Sequence, residues 1–179
     1  APRSAIGWLA LGLEARRKAG SGPVTVISCD NLQANGAKLA AALRDYAERA
    51  FPQLSAWLDA NTAFPLTLVD CIVPAASDIH RARVATALGL DDTASVQREP
   101  FAQWVIQDRF AGPLPAWGAV GAEIVDDVDA YQRIKLHVLN TAHSALAYLG
   151  LPRGHVFVRQ AIADPGLRQY LDTMMAQEI

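Results

Sequence analysis

Short apolar strands alternate with helix-period stretches up to about residue 127, and from Val128 onward only helical spacing remains. Val24-Thr25-Val26-Ile27-Ser28 reads as a buried strand that runs into Cys29-Asp30-Asn31. A second apolar run, Leu66-Thr67-Leu68-Val69, is opened by Pro65 and ends on Asp70. Residues 104–108 and 122–126 read as two further strands, with Pro113 and Pro115 in the loop between them. Helices are predicted over 4–18, over roughly 35–50 behind an Asn35-Gly36 turn signal, and over about 52–60. Another runs from a Ser77 or Asp78 cap to about 88, where Gly89 ends it. A change from mixed to purely helical spacing marks a domain boundary. The pattern therefore divides the chain into an α/β part, 1–127, and a helical part, 128–179.

Polar residues at the ends of apolar strands are where open α/β sheets carry out their chemistry. Asn31 and Asp70 are candidates on that ground, although turn-forming Asn and capping Asp are the commoner roles. The helical part offers a sharper signal. The stretch from Lys135 to Gly150 carries one ammonium and no other Asp, Glu, Lys or Arg before Arg153. At about 100° per residue, taking Lys135 as zero puts His143 near 80° and Asn140 near 140°. Leu139, Leu146 and Ala147 share that arc, so the face is expected to be covered. A lone Lys there either snorkels to water or serves a site. The plain alternative is a surface Lys beside a core His.

Composition narrows the class. A net charge of −2 and a pI near 6.1 give no reason to expect nucleic acid or an anionic membrane surface. Hydrophobic residues make up 51% of the chain, which suits a packed domain rather than a disordered one. No run approaches the roughly 18 apolar residues of a membrane span. Cys29 and Cys71 are the only cysteines, so neither a disulfide framework nor a cysteine-built zinc site is available. A cytoplasmic location is expected. No G-x-G-x-x-G, H-E-x-x-H, G-x-S-x-G or phosphate-loop motif occurs. His80, His137 and His155 read as surface or packing residues, and no metal site is expected. The chain opens at Ala1 and stops inside a helix predicted over 165–179. Both ends look cut, so the sequence reads as a fragment.

Ser28-Cys29-Asp30-Asn31, Val69-Asp70, Glu99-Pro100-Phe101-Ala102-Gln103-Trp104-Val105 and the helix with Lys135, Asn140 and His143 resemble one family. It is the polyol-specific long-chain dehydrogenase/reductase family, which includes mannitol 2-dehydrogenase and fructuronate reductase. The run from His143 to Gly150 and the Glu99–Ile106 segment look closer to the fructuronate reductases. The resemblance implies the remainder of a Rossmann-type cofactor domain followed by the start of an all-α substrate domain. It implies an oxidoreductase using NAD or NADP on a polyol or sugar acid, without metal. Carried over by position, Lys135 is the general acid/base, Asn31 and Asn140 hold the reacting oxygen, and His143 and Asp70 contact substrate. No residue of this stretch is assigned to the cofactor.

The chemistry is consistent with those roles. A secondary alcohol loses a proton as hydride leaves, so a base must stand within about 3 Å of its oxygen. Two amide donors on that oxygen stabilise its developing charge, by on the order of 3 kcal/mol each in comparable sites. Three positions depart from the family's pattern. Cys71 stands where an Arg usually follows the Asp, Gln132 where a Glu is common, and Thr141-Ala142 replaces a Gly-Ser or Ala-Gly pair. The Gln removes a carboxylate that could relay protons to Lys135. The family's glycine-rich half is not in this sequence, so the 179-residue chain alone is expected to be inactive. Two other readings stay open: a relative of 6-phosphogluconate dehydrogenase, and a non-catalytic helical interaction module.

Overall fold

The computed structural model describes residues 2–177, which form two compact units, Ala1–Asp126 and Asp127–Ile179. In the first unit, helix α1 (Ala5–Lys18) starts where the Ser4 hydroxyl accepts from Gly7 N at 3.2 Å, the expected N-cap geometry. Strand β1 (Val24–Thr25) follows, then α2 (Asn35–Ala50), α3 (Pro52–Asn61) and β2 (Thr62–Ala63). Pro52 occupies the first turn of α3, where its missing N–H costs nothing. β1 and β2 pair in parallel. The helices bury Ala10, Leu13, Ala40, Leu43, Ala47, Leu54 and Leu58 together with Phe64. Leu39 and Tyr46, on the predicted apolar stripe of α2, pack against that cluster.

A three-stranded sheet completes the unit: β3 (Thr67–Asp70), β4 (Gln103–Gln107) and β5 (Ala122–Val125). β3 runs antiparallel to β4, placing Asp70 opposite Gln103, and β4 runs parallel to β5. Val105 and Ile106 at its centre have no exposed surface. Between β3 and β4 lies α4 (Asp78–Leu88), capped by the Ser77 hydroxyl and stopped by Gly89 at φ 69°. Glycine reaches this left-handed conformation without a Cβ penalty.

The sequence reading differs from the structure at β1. The predicted strand spans 24–28, yet its ladder covers Val24 and Thr25, with one more bond from Val26 N to Ala63 O at 2.9 Å. Its partner β2 is only two residues long and gives way to Phe64-Pro65, and Pro has no N–H to offer a ladder. Residues 27–33 are thereby released from the sheet.

The second unit is helical. Its elements are α5 (Asp129–Ile134), a π-helical segment (Lys135–Asn140), α6 (Thr141–Gly150), α7 (Val158–Ala163) and α8 (Pro165–Gln177). Ala142, Leu146, Ala161, Leu167, Leu171 and Met174 form its core. Asp164 caps α8 by accepting from Gly166 N at 2.8 Å and Leu167 N at 3.2 Å, with Pro165 opening the helix. The end of the predicted 165–179 helix lies outside the described residues. His155, read as a surface or packing residue, instead lies 3.2 Å from the Asp164 carboxylate. That hydrogen bond and the helix N–H groups hold the Asp164 carboxyl below its ordinary range.

Glu14 is buried and accepts two hydrogen bonds from Arg17 at 2.8 and 2.9 Å, with Lys18 Nζ at 3.3 Å. The Arg17 pair brings its carboxyl down to about 2 from an ordinary value of 4.5. A carboxyl depressed in the folded state stabilises above its unfolded value, and that contribution fades as pH falls through the folded one. Thermal melts should therefore show Glu14→Gln less stable than the parent at neutral pH, with the gap closing between about pH 4.5 and 2. A gap independent of pH would assign the loss to packing instead.

Candidate active site

In the first unit the site begins where β1 releases its chain. The loop from Ser28 to Asn31 leaves the carboxyl end of that strand, the edge at which open α/β sheets bind ligands. Asn31 is exposed on this loop. Asp70 sits half-buried at the carboxyl end of β3. The segment after it is pinned by Glu99, whose N–H donates to Ile72 O at 3.1 Å and whose carboxylate accepts from Ile72 N at 2.8 Å. The Glu99-Pro100 motif thus has a local task, to fix the path of the chain leaving Asp70.

Asn35, which reads in the sequence only as half of a turn signal, joins the Ser28–Asn31 loop to the first residue of β3. Its amide NH2 lies within hydrogen-bond reach of Ser28 O (3.2 Å), Asp30 O (3.0 Å), Thr67 O (3.1 Å) and Thr67 Oγ1 (2.9 Å). Its Oδ1 accepts from Gly36 N at 2.7 Å and Thr67 N at 3.1 Å. The Thr67 hydroxyl in turn donates to Ser28 O. Asn35 and Thr67 are 2% and 1% exposed. A fully partnered buried amide of this kind fixes a unique geometry. The available signal was an Asn placed between a polar loop and an apolar helix start, but nothing local distinguishes it from a turn residue.

In the second unit Lys135 and Asn140 are the first and last residues of the π segment, and His143 lies one turn further in α6. In an α-helix, residues five apart diverge by about 140°. A π-turn bonds i to i+5 and so narrows the angle between such residues. Asn140 is therefore drawn toward the stripe of Lys135, closer than regular helical spacing predicts. The Thr141 hydroxyl donates to Leu136 O, five residues back, at 3.0 Å. π-turns are frequent at functional sites.

Burial of that face differs from expectation. Leu146 belongs to the helical core, but Leu139 is 41% exposed, and Ala147 and His143 are exposed as well. The unit draws its core from the Ala142–Leu146 side of the helix instead. Lys135 and Asn140 are half-buried, and Gln132, one turn before Lys135, is buried.

Whether a dinucleotide fits these residues can be judged at α2, the helix that follows the Asn31 loop. A pyrophosphate needs free N–H groups at a helix N-terminus and close backbone approach. The first turn of α2 is closed by protein. A Cβ built on Gly36 would lie 2.4 Å from Pro65 O and 2.8 Å from Phe64 O, and Gly36 N is bonded to Asn35 Oδ1. Gly36 serves helix-to-strand packing rather than phosphate. The first turn of α2 therefore does not suit the pyrophosphate of such a cofactor. Among the described residues, no group of three His, Cys, Asp or Glu could hold a metal ion, and no helix is long and apolar enough to cross a membrane.

Residues 1–119 match the mannitol dehydrogenase Rossmann domain, and residues 127–179 match the mannitol dehydrogenase C-terminal domain. D-mannonate oxidoreductase of Escherichia coli (strain K12) is 42% identical over 178 residues, 99% of this chain and 37% of that protein. The crystal structure of D-sorbitol dehydrogenase in substrate-free form is similar with a TM-score of 0.86 at 34% identity, covering 98% of this chain and 36% of that one. Mannitol 2-dehydrogenase of Pseudomonas fluorescens, solved as a ternary complex with NAD and D-mannitol, has a TM-score of 0.83 at 39% identity, covering 99% and 36%. The chain spans little more than a third of the length of these relatives. With a Rossmann-type unit followed by a helical C-terminal unit, it belongs to the mannitol dehydrogenase family.

Proposed function

We propose that the full-length gene product is a cytoplasmic NAD(P)-dependent oxidoreductase that interconverts a polyol or sugar acid and its keto form. Residues 1–127 are the C-terminal part of its cofactor domain, and residues 128–179 are the first helices of its substrate domain. The supporting observation is the π-helical segment that runs from Lys135 to Asn140 in a chain of this family. The Lys135 amine takes the hydroxyl proton as the carbinol C–H bond breaks and the carbonyl forms. In the reverse direction the ammonium returns that proton. Asn31 and Asn140 donate to the substrate oxygen while it carries alkoxide-like charge. His143 and Asp70 bind the remaining hydroxyls. When bound, the nicotinamide ring accepts or gives the hydride. Charge on the oxygen is met by these amides and the amine, so the step proceeds without a metal ion.

Both substrate types are represented among the relatives, a mannonate oxidoreductase and mannitol 2-dehydrogenases. The Glu99–Ile106 segment and the run His143 to Gly150 favour the fructuronate reductase type, with the mannitol type next. A panel of mannitol, fructuronate and tagaturonate, assayed with each nicotinamide cofactor and a chelator present, tests the reading. Turnover of at least one, unaffected by chelation, is expected. Activity confined to a phosphorylated sugar acid would favour the 6-phosphogluconate-dehydrogenase-like alternative.

A further inference from the structure

We propose that Asn35 and Thr67 are positioning residues for the reaction: together they hold the Asn31 loop at the distance and angle its amide needs. The inference rests on the proposed role of Asn31 and goes beyond it, since neither Asn35 nor Thr67 is offered as touching substrate.

After Val26 the chain leaves the β1–β2 ladder, so Ser28–Asn31 has no strand neighbour to set its backbone. An oxyanion donor is useful only if it is fixed before the charge develops. Of the loop's carbonyls, Ser28 O receives both the Asn35 amide and the Thr67 hydroxyl, and Asp30 O receives the Asn35 amide at 3.0 Å. The second of these lies directly before Asn31. A local bond from Asp30 N to Ser28 Oγ, 3.3 Å, closes the turn between them. The anchor is in turn immobile. Asn35 opens α2, and its Oδ1 accepts from Thr67 N, at the first residue of β3. Thr67 is three residues before Asp70, so one buried amide ties the Asn31 loop to the strand that carries Asp70.

Donor arithmetic shows why the pair is needed. An Asn amide has two N–H groups, and four acceptors surround this one. The Thr67 hydroxyl supplies a further donor to Ser28 O, so that the amide is not the sole tie on that carbonyl. Replacing the hydroxyl by a methyl of the same shape removes that donor, leaves a buried carbonyl under-satisfied and loosens the loop without emptying the core.

Thr67→Val and Asn31→Ala, made singly and together in the full-length gene product, test this. For Thr67→Val we expect kcat per folded enzyme to fall about tenfold to a hundredfold, the range for a displacement near 1 Å. KM for the nicotinamide cofactor should change less than about twofold. Thr67→Ser, which keeps the hydroxyl, should restore most of the rate. In the Asn31→Ala background, Thr67→Val should cost less than about twofold more, because residues acting through one group are not additive. Multiplying effects, or an unchanged kcat in Thr67→Val beside a damaged Asn31→Ala, would overturn the positioning role while leaving Asn31 in the site. An unchanged kcat in Asn31→Ala would instead remove Asn31 from the chemistry, and this inference with it. Should the valine variant fail to fold, Thr67→Ala set against Thr67→Ser makes the same comparison, both having lost the methyl.

Discussion

Replacing Lys135 by Ala in the full-length gene product should reduce kcat by about 10²–10⁴, the span attributed to a positioned acid/base. Folding should survive. Ala is the best helix former, and Lys135 lies in the middle of a continuous helical run from Asp129 to Gly150, away from the Ala142–Met174 core. Affinity for the nicotinamide cofactor should be retained, since the role proposed for the amine is at the substrate oxygen. Added small primary amines should restore part of the rate, because they supply the missing base without its tether. The comparison decides between classes of protein. An unchanged kcat in a well-folded Lys135→Ala enzyme would leave Lys135 as a snorkelling surface residue and favour the helical interaction module. A loss of cofactor binding equal to the loss of rate would point to a structural rather than a chemical role.

Asn140→Ala should lower kcat by about 10²–10³, the effect of deleting one donor from an oxyanion site. The substitution removes an amide from the carboxyl end of the π-turn and leaves the apolar core of the unit untouched. Asn140→Asp sharpens the test. It is nearly isosteric, so a packing role would tolerate it better than Ala. A donor role predicts the reverse, because a carboxylate beside a developing alkoxide repels it. We therefore expect the Asp variant to be at least as slow as the Ala variant, with its deficit growing as pH rises and the carboxyl ionises. Asp milder than Ala at neutral pH would contradict the donor role.

Much of the framework is written in local sequence. Ser77 and Gly89 bracket α4, and Ser4 caps α1, because each satisfies helix-end groups that only a few residue types can. The apolar spacing of α2 marks Leu39, Ala42, Leu43 and Tyr46; Leu43 is in the core and Leu39 and Tyr46 pack against it, whereas Ala42 is exposed. Three features escaped for physical reasons. The length of β1 is set by β2, a partner more than thirty residues away, whose two-residue extent carries no signal of its own. The π-turn is one extra residue in a helical run, and apolar spacing cannot distinguish it from regular helix over so short a stretch. Asn35 was legible only as a turn residue. Its role depends on Thr67, which lies across the fold in β3.

The apolar arc around Lys135 illustrates a different limit. Periodicity gives the direction in which Leu139, His143 and Ala147 point, but not what lies against them. Within the helical unit the core forms on the Ala142–Leu146 side, and Leu139 is left 41% exposed. A helix with apolar residues on two faces has a choice of core that its own sequence does not resolve. The candidate site residues come as a set from the family resemblance alone, whereas the bonds to Ser28 and Asp30 that hold the Asn31 loop required coordinates.

The most direct test is a crystal structure of the full-length gene product with oxidised cofactor and a bound polyol or uronate. The account predicts Lys135 Nζ within about 3 Å of the oxygen that is oxidised, with the side-chain amides of Asn31 and Asn140 donating to that same atom. A productively bound substrate whose oxygen meets neither amide, while the Lys135 ammonium stands in bulk water, would contradict it.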